Sequence, residues 1–82
     1  MSLRIHVKYF ASFRDITGRR EETMEVPDGV TVEGLREHVK GLYERMADRD
    51  QVLVAVNGVF APLETVVEEG DEFAFFPPVS GG

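Results

Sequence analysis

One apolar stripe decides what this chain can become. Val32, Leu35, Val39, Leu42 and Met46 recur at spacings of three and four, with Tyr43 beside them. That period belongs to a helix with one buried face. Thr31 is a good N-cap for it, and Glu33 near the start and Arg45 near the end suit the helix dipole. Gly34 and Gly41 each lower the intrinsic propensity by about 1 kcal/mol relative to alanine, so packing must hold the helix in place. It is the single long helix that the sequence predicts, and its stripe needs a sheet to lie on.

The remaining segments supply that sheet. Leu3 to Phe10 alternates apolar and polar residues, which predicts a strand with Leu3, Ile5, Val7 and Tyr9 on one face. Phe10 falls in the polar phase, either covering the strand end or standing exposed as an apolar contact. Ala11 to Thr17 suits a short helical turn, with Phe13 and Ile16 three apart and Gly18 ending it. Thr23 to Val26 reads as a second strand, antiparallel to the first, and Pro27-Asp28-Gly29 is turn chemistry. After the helix, Gln51 to Asn57 is dense in β-branched residues. Asn57-Gly58 then predicts a two-residue hairpin with a short return strand over Val59 to Ala61. Leu63 and Val66 are spaced for a single helical turn. Glu69-Gly70-Asp71 turns the chain into a last strand, Glu72 to Phe76, with Phe73 and Phe75 in one phase and Ala74 and Phe76 in the other.

The order β, β, α, β, β, β gives an α+β domain: a mixed sheet of four to five strands with one long helix across one face. It is the β-grasp arrangement, with first and last strands side by side. A ferredoxin-like split βαβ would need a second long helix.

Composition removes most chemistries. The chain has 82 residues, enough for one modest core and no deep cleft. It has no cysteine, so disulfides, thiolate metal sites, iron–sulfur electron transfer and cysteine nucleophiles are excluded. The formal net charge of −6 argues against nucleic acid and fits either a solvated acidic surface or docking on a basic partner. No apolar run reaches the length of a membrane helix and no signal peptide opens the chain, so the cytoplasm is the expected location. His6 and His38 lie far apart without ligand company and read as surface histidines. No nucleophile–base pair and no phosphate-binding glycine loop is present.

The ending, FFPPVSGG, divides the chain into a domain over 1–76 and an extended tail over 77–82. Pro77 and Pro78 stop a ladder because proline has no N–H to donate. Gly81 and Gly82 have no Cβ, so such an end can enter a slot closed to other residues. Six extended residues after Phe76 span at most about 20 Å, enough to carry a terminal carboxylate into another protein. Closing Gly-Gly pairs arise by chance in roughly 0.5% of chains, so the pair gains meaning only from the compact domain before it.

Taken together, YFASFRDITG, TVEGLREHV, LVAVNG and GDEFAFFPPVSGG resemble the MoaD/ThiS sulfur carriers, ubiquitin-like β-grasp domains ending in Gly-Gly. Within that group the likeness is greatest to the small subunits of molybdopterin synthase. The resemblance implies a role for the Gly82 carboxylate. An E1-like activating enzyme uses ATP to adenylate it, and a sulfurtransferase or cysteine desulfurase then provides sulfur for a thiocarboxylate. The tail enters the large subunit of the synthase and gives sulfur to cyclic pyranopterin monophosphate, two carriers being spent per product. No cofactor is bound to the carrier itself, and the assembly implied is a heterotetramer. A sulfur handler without cysteine is then sensible, as is a domain whose catalytic groups belong to its partners.

The resemblance also implies where those partners touch. Alternation turns Phe10 and Phe76 away from the helix, and Phe60 can join them; by itself it leaves open whether loops cover them. The family positions matching them form an apolar patch on the open sheet face that docks both partner enzymes, continued by Pro77, Pro78, Val79 and Ser80. Arg14 matches a basic family position near that interface, where the plain alternative is a solvated loop charge. The same fold and tail are shared by ubiquitin-like modifiers and by carriers for thiamin, tRNA or cysteine thiolation.

Overall fold

The computed structural model describes residues 1–47 and 52–78. Five strands form one sheet: β1 (Ser2–Tyr9), β2 (Glu21–Pro27), β3 (Leu53–Val56), β4 (Val59–Phe60) and β5 (Glu72–Phe76). Their order is β2-β1-β5-β3-β4. β1 pairs antiparallel with β2 and parallel with β5, and β5 pairs antiparallel with β3. Among the described residues the helices are α1 (Ser12–Thr17), α2 (Val32–Leu42) and α3 (Glu44–Ala47). This is the mixed sheet of a ubiquitin-like β-grasp.

Alternation along the central strands puts the core where the sequence expects it. Ile5, Val7 and Tyr9 of β1 and Phe73 and Phe75 of β5 are buried, facing Val32, Leu35 and Val39 of α2. Burying such a side chain stabilises by roughly 1.5–3 kcal/mol, so these eight residues hold the helix that its own glycines weaken. Thr31 caps α2, its Oγ1 accepting from Gly34 N at 3.1 Å. Asn57 (φ 51°) and Gly58 (φ 84°) both take positive φ, as the hairpin between β3 and β4 requires. Gly18 ends α1 in the left-handed region.

Three local expectations are corrected. The helical stripe does not run on to Met46: α2 stops at Leu42, Tyr43 is extended (φ −127°, ψ 98°), and α3 is a separate turn carrying Arg45. The cause is Tyr43, whose ring leaves the helix to pack edge-on against Tyr9 at 5.9 Å and whose hydroxyl donates to Glu22. Leu42 is accordingly exposed, and the Met46 side chain lies outside the described residues. The second correction concerns Leu63 and Val66, which form no helical turn and are exposed. Their segment works through its backbone instead. The carbonyls of Leu63 and Thr65 accept from the N–H groups of Glu33 (3.0 Å) and Val32 (2.9 Å) at the start of α2, and Val67 takes the buried place. Third, several boundaries move: β1 ends at Tyr9, β2 begins at Glu21, β3 spans Leu53 to Val56 and β4 stops at Phe60. Gln51 lies outside the described residues.

Candidate functional site: an aromatic trough at the end of β5

The sheet face opposite α2 has two halves. Across β2 and β1 it is charged, with His6 Nε2 3.2 Å from Glu21 and Lys8 Nζ 3.1 Å from Glu72. Across β5, β3 and β4 it is apolar. The register explains why: Ala55 of β3 lies between Phe60 of β4 and Ala74 of β5, and Leu53 faces Phe76. Two alanines leave a floor low enough for the aromatic rings to stand around it as walls. The result is a trough of about 710 Å³ lined by Phe10, Ala11, Ala55, Gly58, Phe60, Ala74, Phe76, Pro77 and Pro78.

The walls are held by the backbone. Phe10 N donates to Phe75 O at 3.0 Å, keeping the chain beside β5 after β1 has ended. Ala11 then takes a positive φ of 53° and turns the chain into α1. Phe60 and Phe76 meet edge to face, with centroids 5.5 Å apart and planes at 65°, an attractive arrangement for two rings. Phe60 is 65% exposed and Phe10 40% exposed. Large aromatic side chains left in water around one depression are what a docking surface requires.

Five of the anticipated contact residues are therefore brought together: Phe10, Phe60, Phe76, Pro77 and Pro78. Arg14 is not among them. It lines a neighbouring groove of about 170 Å³ with Lys8, Tyr9, Phe10, Arg20 and Glu21, so Phe10 is the ridge between an apolar trough and a mainly basic groove. Val79, Ser80, Gly81 and Gly82 lie outside the described residues. Ala55, Gly58 and Ala74 are lining residues that the sequence pattern did not single out. Ala74 was legible as the small residue in the outward phase of an aromatic strand, whereas Ala55 depends on how β3 is registered against β5.

Behind the trough, Glu22 accepts from both Tyr9 (2.5 Å) and Tyr43 (2.6 Å), and Arg19 lies 3.3 Å from its other oxygen. Burial first, and the Glu22 carboxylate second, push both phenols above their usual pKa. This cluster fixes Tyr9, the last residue of β1, and through it the start of the Phe10 ridge. Among the described residues no group of three or more His, Cys, Asp or Glu side chains is placed to hold a metal. Among the same residues no helix is long and apolar enough to cross a membrane.

The model of the ThiS family matches residues 7–82. The chain belongs to the ThiS family. A molybdopterin synthase sulfur carrier subunit from Haemophilus influenzae is 40% identical, over 95% of this chain and 99% of that protein. A solved structure described as subunit 1 of a putative molybdopterin converting factor, from Pyrococcus furiosus, superposes with a TM-score of 0.87 at 34% identity. The match covers 94% of this chain and 99% of that one. The small archaeal modifier protein 1 of Haloferax volcanii superposes at 0.82 with 27% identity, covering 94% of this chain and 99% of that one.

Proposed function

We propose that this chain is the sulfur carrier of a molybdopterin synthase, working in the cytoplasm. The observation that carries the reading is the aromatic trough, built where β5 passes into Pro77 and Pro78, in a chain similar over its length to sulfur carrier subunits. A carrier has to present one end to several enzymes, and an apolar collar around the root of that end lets each of them grip it. The Gly82 carboxylate is ionised at neutral pH, given a reference pKa near 3.5, and is a poor acyl electrophile until activated. An E1-like enzyme adenylates it at the expense of ATP. A sulfurtransferase or cysteine desulfurase then exchanges the adenylate for sulfur, and the large subunit of the synthase receives the thiocarboxylate. In that division of labour the carrier supplies the acyl group and the grip, and its partners supply the catalytic groups.

The test is intact-mass analysis after incubation with an activating enzyme, ATP and a sulfur source. The expected change is one oxygen exchanged for sulfur, abolished by deletion of Gly82. An unchanged mass would remove the proposal. The likeness to a small archaeal modifier supports a second reading, in which Gly82 is joined to lysines of other proteins. Recovery of such branched peptides from cells, with no thiocarboxylate, would favour it.

A further inference from the structure

Asn57 is the only asparagine of the chain, and a glycine follows it. That pair is chemically unstable. The backbone nitrogen after an asparagine can attack its side-chain amide, and glycine, having no Cβ, screens its own nitrogen least. Asn57 and Gly58 are both exposed, at the tip of the hairpin between β3 and β4. The hairpin calls for this pair, because both residues take positive φ. The fold has thus set a reactive dipeptide beside the trough, whose lining includes Gly58 and Phe60.

The amide is not free in solvent. Its Oδ1 accepts from the N–H of Glu72 at 3.0 Å, and its Nδ2 donates to Asp71 Oδ1 at 3.1 Å. A backbone N–H only donates and a carboxylate only accepts, so a single orientation of the amide satisfies both. The backbone N–H of Asn57 donates to Glu72 O at 2.7 Å, so main chain and side chain grip the same residue. Asp71 is fixed in turn, its Oδ2 accepting from Glu68 N at 2.9 Å.

We propose that Asn57 is a site of spontaneous deamidation, and that Asp71 and the Glu72 N–H hold the reaction in check while the domain is folded. To react, the amide turns out of this grip and both of its hydrogen bonds are lost. Gly58 N gives up its proton to solvent and attacks Asn57 Cγ. A C–N bond forms, the Cγ–Nδ2 bond breaks and ammonia leaves, giving a succinimide. Water then opens the ring at either carbonyl, to aspartate or to isoaspartate. Neither product fits the site as asparagine does. Aspartate sets a second carboxylate against Asp71 and has no donor to offer it. Isoaspartate adds a methylene to the main chain of a two-residue turn. Both loosen the hairpin that carries Phe60. Only the consequence for docking rests on the carrier reading; the chemistry needs no partner.

The experiment incubates the full chain at mildly alkaline pH, both folded and in guanidinium chloride. Intact mass follows the loss of the amide, and peptide mapping separates aspartate from isoaspartate at position 57. The folded chain should react at least about tenfold more slowly than the unfolded one, since two hydrogen bonds must be given up. Asp71→Ala should raise the folded rate about fivefold, the factor carried by one net hydrogen bond. The comparison is made at a temperature where circular dichroism shows both proteins folded. Asn57→Asp, the product of the reaction, should lower the melting temperature by about 5 °C. Equal rates with and without denaturant, a folded Asp71→Ala chain that reacts no faster than wild type, or an unchanged melting temperature in Asn57→Asp would each overturn the proposal. Because no activating enzyme takes part, its failure leaves the carrier reading standing, and failure of enzyme-dependent sulfur loading leaves this result standing.

Discussion

Glu22 shows how much one side chain organises. It sits in the inward phase of β2, opposite Val7, yet it is a carboxylate. Two phenols and a guanidinium satisfy it, so its burial behind Tyr9 and Tyr43 costs little. Glu22→Ala leaves both hydroxyls without that acceptor and should destabilise the protein by about 2 kcal/mol, whereas Glu22→Gln, which keeps an acceptor oxygen, should cost less. Chemical denaturation measures both. The phenols also set an alkaline limit. Their pKa values are raised in the fold, so the neutral form is the one that folding favours. The stability this adds is complete below the unfolded phenol's pKa of about 10, and it is lost as pH rises above that value toward the folded pKa. The chain's only tyrosines are these two. Phenolate absorbance of Tyr9 should therefore appear together with unfolding in an alkaline titration. Its appearance near pH 10 in a protein that is still folded would contradict the buried Tyr9–Glu22 contact.

At the scale of elements, α2 carries two glycines with opposite surroundings. A Cβ at Gly41 would meet nothing within 4 Å, so Gly41→Ala should stabilise the protein by about 0.5 kcal/mol. A Cβ at Gly34 would come within 2.8 Å of a Val30 methyl, so Gly34→Ala should lose that gain to the clash. Thermal unfolding of the two variants separates them: an equal rise in both would show that Val30 yields freely. The helix is short because Tyr43 finds a better place than the next turn would give it. Its start is secured from elsewhere, by the carbonyls of Leu63 and Thr65 and the hydroxyl of Thr31. That segment, which spacing alone presents as a turn of helix, is a backbone cap for another element.

For the whole molecule, the two faces of the sheet divide the buried aromatic side chains from the exposed ones. Phe73 and Phe75 point into the core and Phe76 points out, on adjacent residues of one strand. Phe76→Ala should therefore weaken binding of the synthase large subunit by at least about tenfold, as loss of an aromatic anchor does, with little change in melting temperature. A large fall in melting temperature would show Phe76 to be structural. Phe75→Ala should do the reverse, destabilising by about 3–5 kcal/mol through the cavity it leaves.

Strand periodicity, the Asn57-Gly58 hairpin, the Thr31 cap and the inward phase of β1 and β5 were all legible in the residues, because each depends on neighbours a few positions away. So was the outward phase of Phe10 and Phe76. Where α2 ends was not, because Tyr43 answers to Tyr9 and Glu22, which are far from it in sequence. Nor was the floor of the trough, since Ala55 and Ala74 meet only once β3 and β5 are paired. Local chemistry names the elements and their faces; the register between distant strands, which no local pattern encodes, decides which side chains share a site.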